Sequence, residues 1–325
     1  MNTLYKYYSM NFDLLSYLQD PSIRLSQIHL LNDPFEGMLP DDLLKKIVPL
    51  LQKEMYPEEP DSKSRRLNVV SSLRKTINDF GVSSVSETHR NLLMWAHYAS
   101  EHKGVCIGYN PEMLEPKNEY YKKHTNGSVA FELKKVNYDT VPFDSSHIDE
   151  VSSEEIVSDA AFESIGERAI TTKSDAWLYE KEHRYIANIS FCEQIVIFRK
   201  KENLADYMNR AIEAATTKKT YDVIYGDRSV ILKSKRSPAQ IVENIIEENC
   251  PVITGLAPSK EVAFLVGIKR DDIKTIHLGA RFDYRKRLEI IELIKSNIDM
   301  QHIKVFQYER SSNRYELVES IIHPE

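Results

Sequence analysis

Apolar residues recur at helical spacing in several parts of the chain. After Asn11, which can cap a helix, Leu14, Leu15 and Leu18 share one face of a helix predicted over residues 11–19. The same periodicity predicts an amphipathic helix over Asp41–Met55, with Pro49 as a point of interruption. Further helices are predicted over residues 67–79, 154–173, 204–218, 239–248 and 284–296.

Alternating or continuous short apolar runs between these segments predict strands. They cover residues 4–8, 23–31, 81–86, 105–109, 128–138, 177–189, 194–199, 274–279, 303–308 and 314–320. A hairpin is predicted over residues 221–235 around Gly226 and Asp227, a turn over residues 32–37, and a polar loop over residues 140–153.

Helices and strands mix along the chain without a regular βαβ alternation, which favours an α+β fold over a doubly wound one. We expect a single α+β domain over residues 1–325, in which helices flank a mainly antiparallel sheet. The sequence leaves open whether this sheet is continuous or split.

Composition and charge indicate which broad class of protein this is. The chain has 325 residues, 42% of them hydrophobic, so it can bury a substantial core. A net charge of -6 without long basic runs argues against broad electrostatic attraction to nucleic acid. Cys106, Cys192 and Cys250 lie far apart without metal-type spacing, and residues 1–12 lack a leader pattern, so a cytoplasmic, non-membrane protein is expected.

Several common catalytic motifs are missing from the sequence. It contains no glycine-rich phosphate loop, no GxSxG, no HExxH and no paired CxxC, and it has only 10 glycines. P-loop hydrolysis, zinc proteolysis and a Rossmann dinucleotide site are therefore not expected.

The most distinctive segment is NLLMWAHYASEHKGVCIGY at residues 91–109. It predicts a helix capped by Asn91, stopped by Gly104 and followed by a buried strand. Trp95 and Tyr98 could stack on a heterocycle, and His97 could act as an acid or base near neutral pH. The alternative is an ordinary core helix with an aromatic stripe.

Two acidic residues, Glu180 and Glu182, lie two apart in YEKEHR. On a strand they would share one face, where a carboxylate could stabilise an oxocarbenium-like transition state in N-glycosidic cleavage. The alternative is structural, with Glu182 paired to Arg184 or Lys173.

Other polar residues also suggest binding roles. Arg24 lies in an otherwise apolar strand and could hold a phosphate, although an edge position facing solvent is the alternative. Ser84 and Ser86 end a strand, where they could orient a ribose or simply cap a turn. Asn32, Asp33 and Glu36 are expected to hold their turn, with metal ligation by the two acids as a lesser alternative and no metal site committed.

Four blocks of the sequence resemble the bacterial family called domain of unknown function 2971. They are LYKY at residues 4–7, LLNDPFEG at 30–37, LLMWAHYASEHKGVCIGY at 92–109 and KSDAWLYEKEHR at 173–184, with IKTIHLGA at 273–280 near the end. Relative to that family, the resemblance implies an enlarged helical insertion in the C-terminal half over residues 193–269, which is a candidate inserted subdomain. The family name implies no activity.

The order of an arginine strand, a serine strand and a late Glu-x-Glu resembles, more distantly, the ADP-ribosyltransferase arrangement. That resemblance implies that Arg24 holds NAD, Ser84 and Ser86 brace the pocket, and Glu182 is the catalytic carboxylate. Glu180 would position the acceptor, and Trp95 or Tyr98 would cover the nicotinamide. Tyr7, in the first block, joins the nucleotide-binding candidates.

Three hypotheses about function follow. The first is an ADP-ribosyltransferase or NAD glycohydrolase, with NAD as substrate and a protein, a nucleic acid or water as acceptor, in phage defence or as a toxin. The second is a non-catalytic module that recognises a nucleotide or a protein. The third is a metal-dependent nuclease using Asp33, Glu36, Glu180 and Glu182. The sequence leaves the oligomeric state open.

Overall fold

The computed structural model describes residues 2–60, 62–124, 130–141, 159–237, 239–242 and 251–323, with side chains from residue 165 onward in the helix that begins at Asp159. The predicted helix over 239–248 and the predicted loop over 140–153 lie mostly outside these residues.

The described part of the chain forms an α+β structure around one large, mostly antiparallel sheet. The strands are β1 (Leu4–Tyr8), β2 (Ser22–Gln27), β3 (Phe80–Ser86), β4 (Val105–Tyr109), β5 (Ala130–Lys135), β6 (Asn137–Asp139), β7 (Thr172–Ser174), β8 (Glu182–Asn188), β9 (Gln194–Ile197), β10 (Tyr221–Tyr225), β11 (Val230–Ser234), β12 (Val262–Gly267), β13 (Ile273–Leu278), β14 (Lys304–Arg310) and β15 (Leu317–His323). The α+β prediction is therefore confirmed.

Helices surround this sheet. They are α1 (Leu14–Gln19), α2 (Asp41–Met55), α3 (Lys63–Asp79), α4 (Leu92–Tyr98), α5 (Glu115–His124), α6 (Asp159–Thr171), α7 (Asp206–Thr217), α8 (Pro251–Leu256) and α9 (Tyr284–Ser296). The predicted bounds of the helices over residues 41–55 and 284–296 agree with α2 and α9.

The main path of the sheet runs β10-β11-β9-β12-β2-β3-β1-β4-β13-β14-β15, and β8 and β5 branch from β3. Strands β13 and β14 pair in parallel, as do β6 and β7 in a separate two-stranded sheet. Strands β9 to β12, from the segment 193–269, continue the large sheet, while α7 and α8 pack beside them.

The sheet is split along one edge of β3. Strand β2 pairs there with Gly81 and Val82, and β1 pairs with Ser86, so residues 83–85 pair with neither strand. The opposite edge of β3 is paired with β8 along its whole length. This fork leaves space for side chains in the middle of an otherwise continuous sheet.

The buried apolar residues form distinct clusters on the sheet. The largest joins the central strands to α1, α7 and α9, and a second one packs α2, α3 and α6 around Ile77 and Ile186. A third cluster holds α4 against β1 through Trp95, Tyr7 and Tyr308. The third cluster fixes the helix that borders the fork.

Some predicted boundaries are wrong. Helix α1 begins at Leu14, because Asp13 rather than Asn11 accepts the hydrogen bond from the Ser16 amide. Strand β2 ends at Gln27, because Ile28–Leu30 form a 3₁₀ turn that leads into the predicted turn. Helix α3 begins at Lys63, within the charged stretch that precedes residue 67.

Among the described residues, no helix combines the length and the apolar composition needed to cross a bilayer.

Gly104 provides a test of how tightly the α4–β4 connection packs. A Cβ at this position would lie 2.0 Å from the Tyr8 carbonyl oxygen and 3.0 Å from the Ala99 Cα. Because both neighbours are backbone, we expect Gly104→Ala to lower the free energy of unfolding by about 2 kcal/mol or more in urea titration. Gly226→Ala is the control, since its nearest neighbour would be 3.4 Å away. Equal midpoints for the two variants would contradict this packing.

Candidate active site

A cleft of about 270 Å³ opens at the fork between β1, β2 and β3. Helix α4 borders it through Met94 and Tyr98, and the 28–37 region borders it through its turn residues. Its polar lining consists of Tyr5, Lys6, Tyr7, Ser26, Asn32, Glu36, Ser84, Ser86, Tyr98, Lys173, Glu180 and Glu182. A small cavity with this many ionisable groups is suited to a polar ligand.

Glu180 and Glu182 both line the cleft, but they do not share the face of one strand. Residues Asp175–Glu180 form a 3₁₀ helix, and Lys181 has a left-handed backbone with φ of 47°. Strand β8 begins only at Glu182, so the predicted strand over 177–189 is wrong in its first half. The turn at Lys181, rather than the pleat of a strand, brings the two carboxylates together.

A buried ammonium group links three carboxylates at this site. Lys173 Nζ lies 2.7 Å from Glu180 Oε2, 3.0 Å from Glu182 Oε2 and 3.3 Å from Glu36 Oε1. Arg184 adds a second cation, with its Nε 2.8 Å from Glu182 Oε1 and its Nη2 2.6 Å from Glu36 Oε2. Burial of these charges is tolerated because each one faces an opposite charge.

The two carboxylates of the Glu-x-Glu differ in their pKa. Burial opposes ionisation of Glu182, but Arg184 and Lys173 outweigh burial and lower its pKa to about 2. Burial raises the pKa of Glu180, and the opposing effects of Lys173 and Tyr98 compensate for burial only in part. The site therefore holds one firmly ionised carboxylate beside one that takes up a proton more readily.

Polar groups around Glu180 fix its orientation. Tyr98 donates its hydroxyl hydrogen to Glu180 Oε1 and accepts a hydrogen bond from the Asn32 amide. Ser86 Oγ donates to the Glu180 carbonyl oxygen at 2.6 Å. These contacts connect α4, β3 and the 32–37 turn to the same residue, through the carboxylate of Glu180 for Tyr98 and through its backbone carbonyl for Ser86.

Lys6 projects from β1 into the gap of the fork. Its Nζ donates to the Ser84 carbonyl oxygen at 2.8 Å, on the stretch of β3 that pairs with neither β1 nor β2. Burial lowers the pKa of Lys6 to about 8, while the nearby Glu182 partly opposes this shift. A titrating amine thus lies beside the ionised carboxylate.

Seven of the site residues proposed from sequence line the cleft together. They are Tyr7, Glu36, Ser84, Ser86, Tyr98, Glu180 and Glu182. The pairing of Glu182 with Arg184 and Lys173, considered above as the structural alternative, is present as well.

Four other candidates lie elsewhere. Trp95 is fully buried in the third cluster, where its Nε1 donates to the His89 carbonyl at 2.8 Å. His97 is exposed, with its ring near Tyr98 and Tyr179. Arg24 donates to the Val262 carbonyl at 3.2 Å without lining the cleft. Asp33 accepts from the Phe35 amide and holds the turn.

Sequence reasoning missed Lys6 as a member of the site and treated Lys173 and Arg184 only as partners of Glu182. A usable signal existed for Lys6, since it is a single cation among the aromatic residues of the strand predicted over residues 4–8. From the sequence, Glu36 is predicted only as a turn residue and as a metal ligand of the nuclease hypothesis. Its ion pairs with Lys173 and Arg184 join residues far apart in the chain and have no local signal.

Comparison with known proteins finds a match for the part of the chain that contains most of the charge network around Lys173. Residues 94–185 match the family model for DUF2971. The model is described as a protein of unknown function. No curated protein and no solved structure matches the chain. The comparisons give no support to the ADP-ribosyltransferase resemblance.

The DUF2971 match includes Tyr98, Lys173, Glu180, Glu182 and Arg184. It supports the resemblance noted in the two longest sequence blocks. The segments carrying Lys6, Glu36 and Ser84 lie before the matched residues, so the cleft combines the DUF2971 region with strands that precede it.

Lys173 is the cation that the carboxylates of the DUF2971 region share. We expect Lys173→Met to lower the free energy of unfolding by about 3–5 kcal/mol at pH 7, because buried carboxylates lose their counter-charge. The deficit should shrink toward pH 5, since the uncompensated carboxylates can then take up protons. Urea titration at both pH values measures it.

Lys45→Met provides the matched control, because Lys45 forms an exposed ion pair with Asp42. Exposed pairs contribute little to stability, so its midpoint should stay close to that of the parent protein. Similar losses for the two variants would show that the buried network is not the cause.

Proposed function

We propose that the cleft binds a ribonucleotide and cleaves its N-glycosidic bond, with NAD as the first substrate to test. The ADP-ribosyl group would pass to a protein, a nucleic acid or water. The observation that carries this proposal is that Glu180 and Glu182 line one small cavity together with Ser84 and Ser86.

The carboxylates suit the charge that develops in such a reaction. Breaking a ribosyl N-glycosidic bond leaves positive charge on the sugar ring, and a fixed carboxylate beside the ring stabilises it. Glu182 is ionised at neutral pH, whereas Glu180, with its raised pKa, can hold or accept a proton. In this proposal Glu182 supplies the fixed negative charge, and Glu180 positions and activates the acceptor.

The size of the cleft limits what it can enclose. A volume of about 270 Å³ is at the small end of ligand pockets, so it suits a base with its ribose better than a whole dinucleotide. The phosphates would then lie at the rim. Because Arg24 does not line the cleft, we propose Lys6 as the cation that meets the anionic part of the ligand.

The position of Lys173 favours this activity over a metal-dependent nuclease. Its Nζ lies within 3.3 Å of all three converging carboxylates, where a divalent ion would have to bind. Asp33, the fourth proposed nuclease residue, is absent from the cleft lining. A non-catalytic module that recognises a nucleotide would use the same cleft and would leave the ligand unchanged.

Release of nicotinamide from NAD tests the proposal. We expect Glu182→Gln and Glu180→Gln each to lower the rate by about 100-fold or more, since each removes a charge or a proton carrier at the reacting sugar. Chromatography after incubation of the purified protein with NAD measures the release, and circular dichroism reports whether each variant is folded.

Glu87→Gln is the matched control, because Glu87 follows β3, pairs with His183 and Lys135, and is not a lining residue. Its rate should equal that of the parent protein. If the parent protein binds NAD without releasing nicotinamide, the recognition module is the better assignment. Release that persists in both folded cleft variants would refute the roles given to the carboxylates.

The amine of Lys6 makes a separate prediction about pH. A protonated Lys6 attracts phosphate and a neutral one does not, so the affinity for NAD should fall as pH rises through about 8. In Lys6→Met the affinity should be lower at pH 7 and lose this titration. Calorimetric titration between pH 6.5 and 9 measures both, and a pH profile that is unchanged in Lys6→Met would exclude this role.

A further inference from the structure

A second group of ionisable side chains lies outside the carboxylate network, on the β13–β15 side of the sheet. It consists of His89, from the connection between β3 and α4, His277 on β13 and Glu319 on β15. Each comes from a different part of the chain, and one ligand atom from each lies within 4.8 Å of the other two.

The sheet register explains how these residues meet. On β14, Phe306 lies beside His277 and Tyr308 lies beside Glu319. Because Phe306 and Tyr308 are two residues apart, their side chains share one face of the sheet, and so do those of His277 and Glu319 on the strands to either side. His89 covers this side, with its ring stacked on that of His277 at a centroid distance of 4.1 Å. The fold therefore fixes two imidazoles and one carboxylate around a common point.

The distances match those between ligands of one metal ion. Glu319 Oε2 lies 3.1 Å from His277 Nδ1 and 3.5 Å from His89 Nδ1. With bonds of about 2.1 Å, two ligands of a tetrahedral Zn²⁺ ion are about 3.4 Å apart, and adjacent ligands of an octahedral ion about 3.0 Å. Both measured distances fall close to this range.

The central atoms have no partners outside the group. His277 Nδ1 and Glu319 Oε2 are buried and face each other at 3.1 Å, and apart from the contacts among the three residues neither atom has a hydrogen-bond partner among the described residues. His277 Nε2 lies 3.1 Å from Thr275 Oγ1, which can hold the ring with its Nδ1 lone pair toward Glu319. Two acceptor atoms facing each other repel unless a cation or a proton lies between them.

The surroundings of the group are compatible with an ion. Arg90 contacts the other carboxylate oxygen, Oε1, at 3.3 Å and so leaves Oε2 for the imidazoles. Tyr308 Oη lies 2.5 Å from His89 Nδ1 and would have to turn or become a further ligand. The side chains of His89 and Glu319 are 15% and 23% exposed, so an ion and its water can enter.

We propose that His89, His277 and Glu319 form a binding site for a divalent transition-metal ion, with Zn²⁺ as the closest match. Two imidazoles and one carboxylate are a ligand set that Zn²⁺ and other first-row ions accept, and it leaves one or more positions for water. The Tyr5 ring contacts both imidazoles, tilted against His89 and edge-on to His277, and it also lines the cleft. The metal site therefore adjoins the proposed active site without sharing its carboxylates.

Metal titration of the full chain, freed of any affinity tag and of chelator, tests this site. Calorimetry with Zn²⁺ should give one ion per chain, and Co²⁺ should give the intense visible bands of a four- or five-coordinate ion. Glu319→Gln keeps the shape of the side chain but removes its charge, and it should weaken Zn²⁺ binding at least about tenfold. His89→Gln, at a partly exposed position, should do the same.

Glu309→Gln is the matched control, because Glu309 is an exposed carboxylate on the neighbouring strand β14. It should bind Zn²⁺ as tightly as the parent protein. Absence of saturable binding by the parent protein, or equal affinity in folded Glu319→Gln and His89→Gln, would overturn the proposal. In that case a proton shared by His277 and Glu319 would explain their contact.

Discussion

The neutralisation of buried carboxylates by Lys173 is the interaction on which the candidate site depends. Glu36, Glu180 and Glu182 come from two distant parts of the chain, and each has an oxygen within 3.3 Å of the same ammonium group. Without this cation three like charges could not be held together away from water. Arg184 completes the balance from the strand that begins with Glu182.

The fork in the sheet provides the space that this charge network borders. A continuous sheet would fill the middle of β3 with a neighbouring strand, and its side chains would face only the two surfaces. Because β1 and β2 diverge along one edge of β3, the Ser84 carbonyl is not paired with a neighbouring strand, and Lys6 donates a hydrogen bond to it instead. The cleft is thus a consequence of strand pairing, and its charge is a consequence of the residues at the fork.

The aromatic helix α4 links the cleft to the group of His89, His277 and Glu319. Tyr98 faces the cleft and holds Glu180, while Trp95 on the same helix is packed between Tyr7 and Tyr308. Tyr308 in turn contacts His89, one of the proposed metal ligands. The segment that is most distinctive in the sequence therefore has mainly a positioning role, and only one of its aromatic rings meets the cleft.

The sequence by itself determined the α+β class, the bounds of α2 and α9, the Asn91 cap of α4 and the central strands, because periodicity and capping are local properties. It also identified Glu180, Glu182, Ser84, Ser86, Tyr98 and Tyr7, all of which line one cleft. Only the tertiary structure decided that Lys6 joins them, that Glu36 is paired with Lys173 and Arg184, and that Arg24, His97 and Trp95 lie elsewhere. It also decided that a left-handed residue at Lys181 turns Glu180 toward Glu182. These outcomes depend on strand order and on contacts between residues far apart in the chain, which local patterns do not encode.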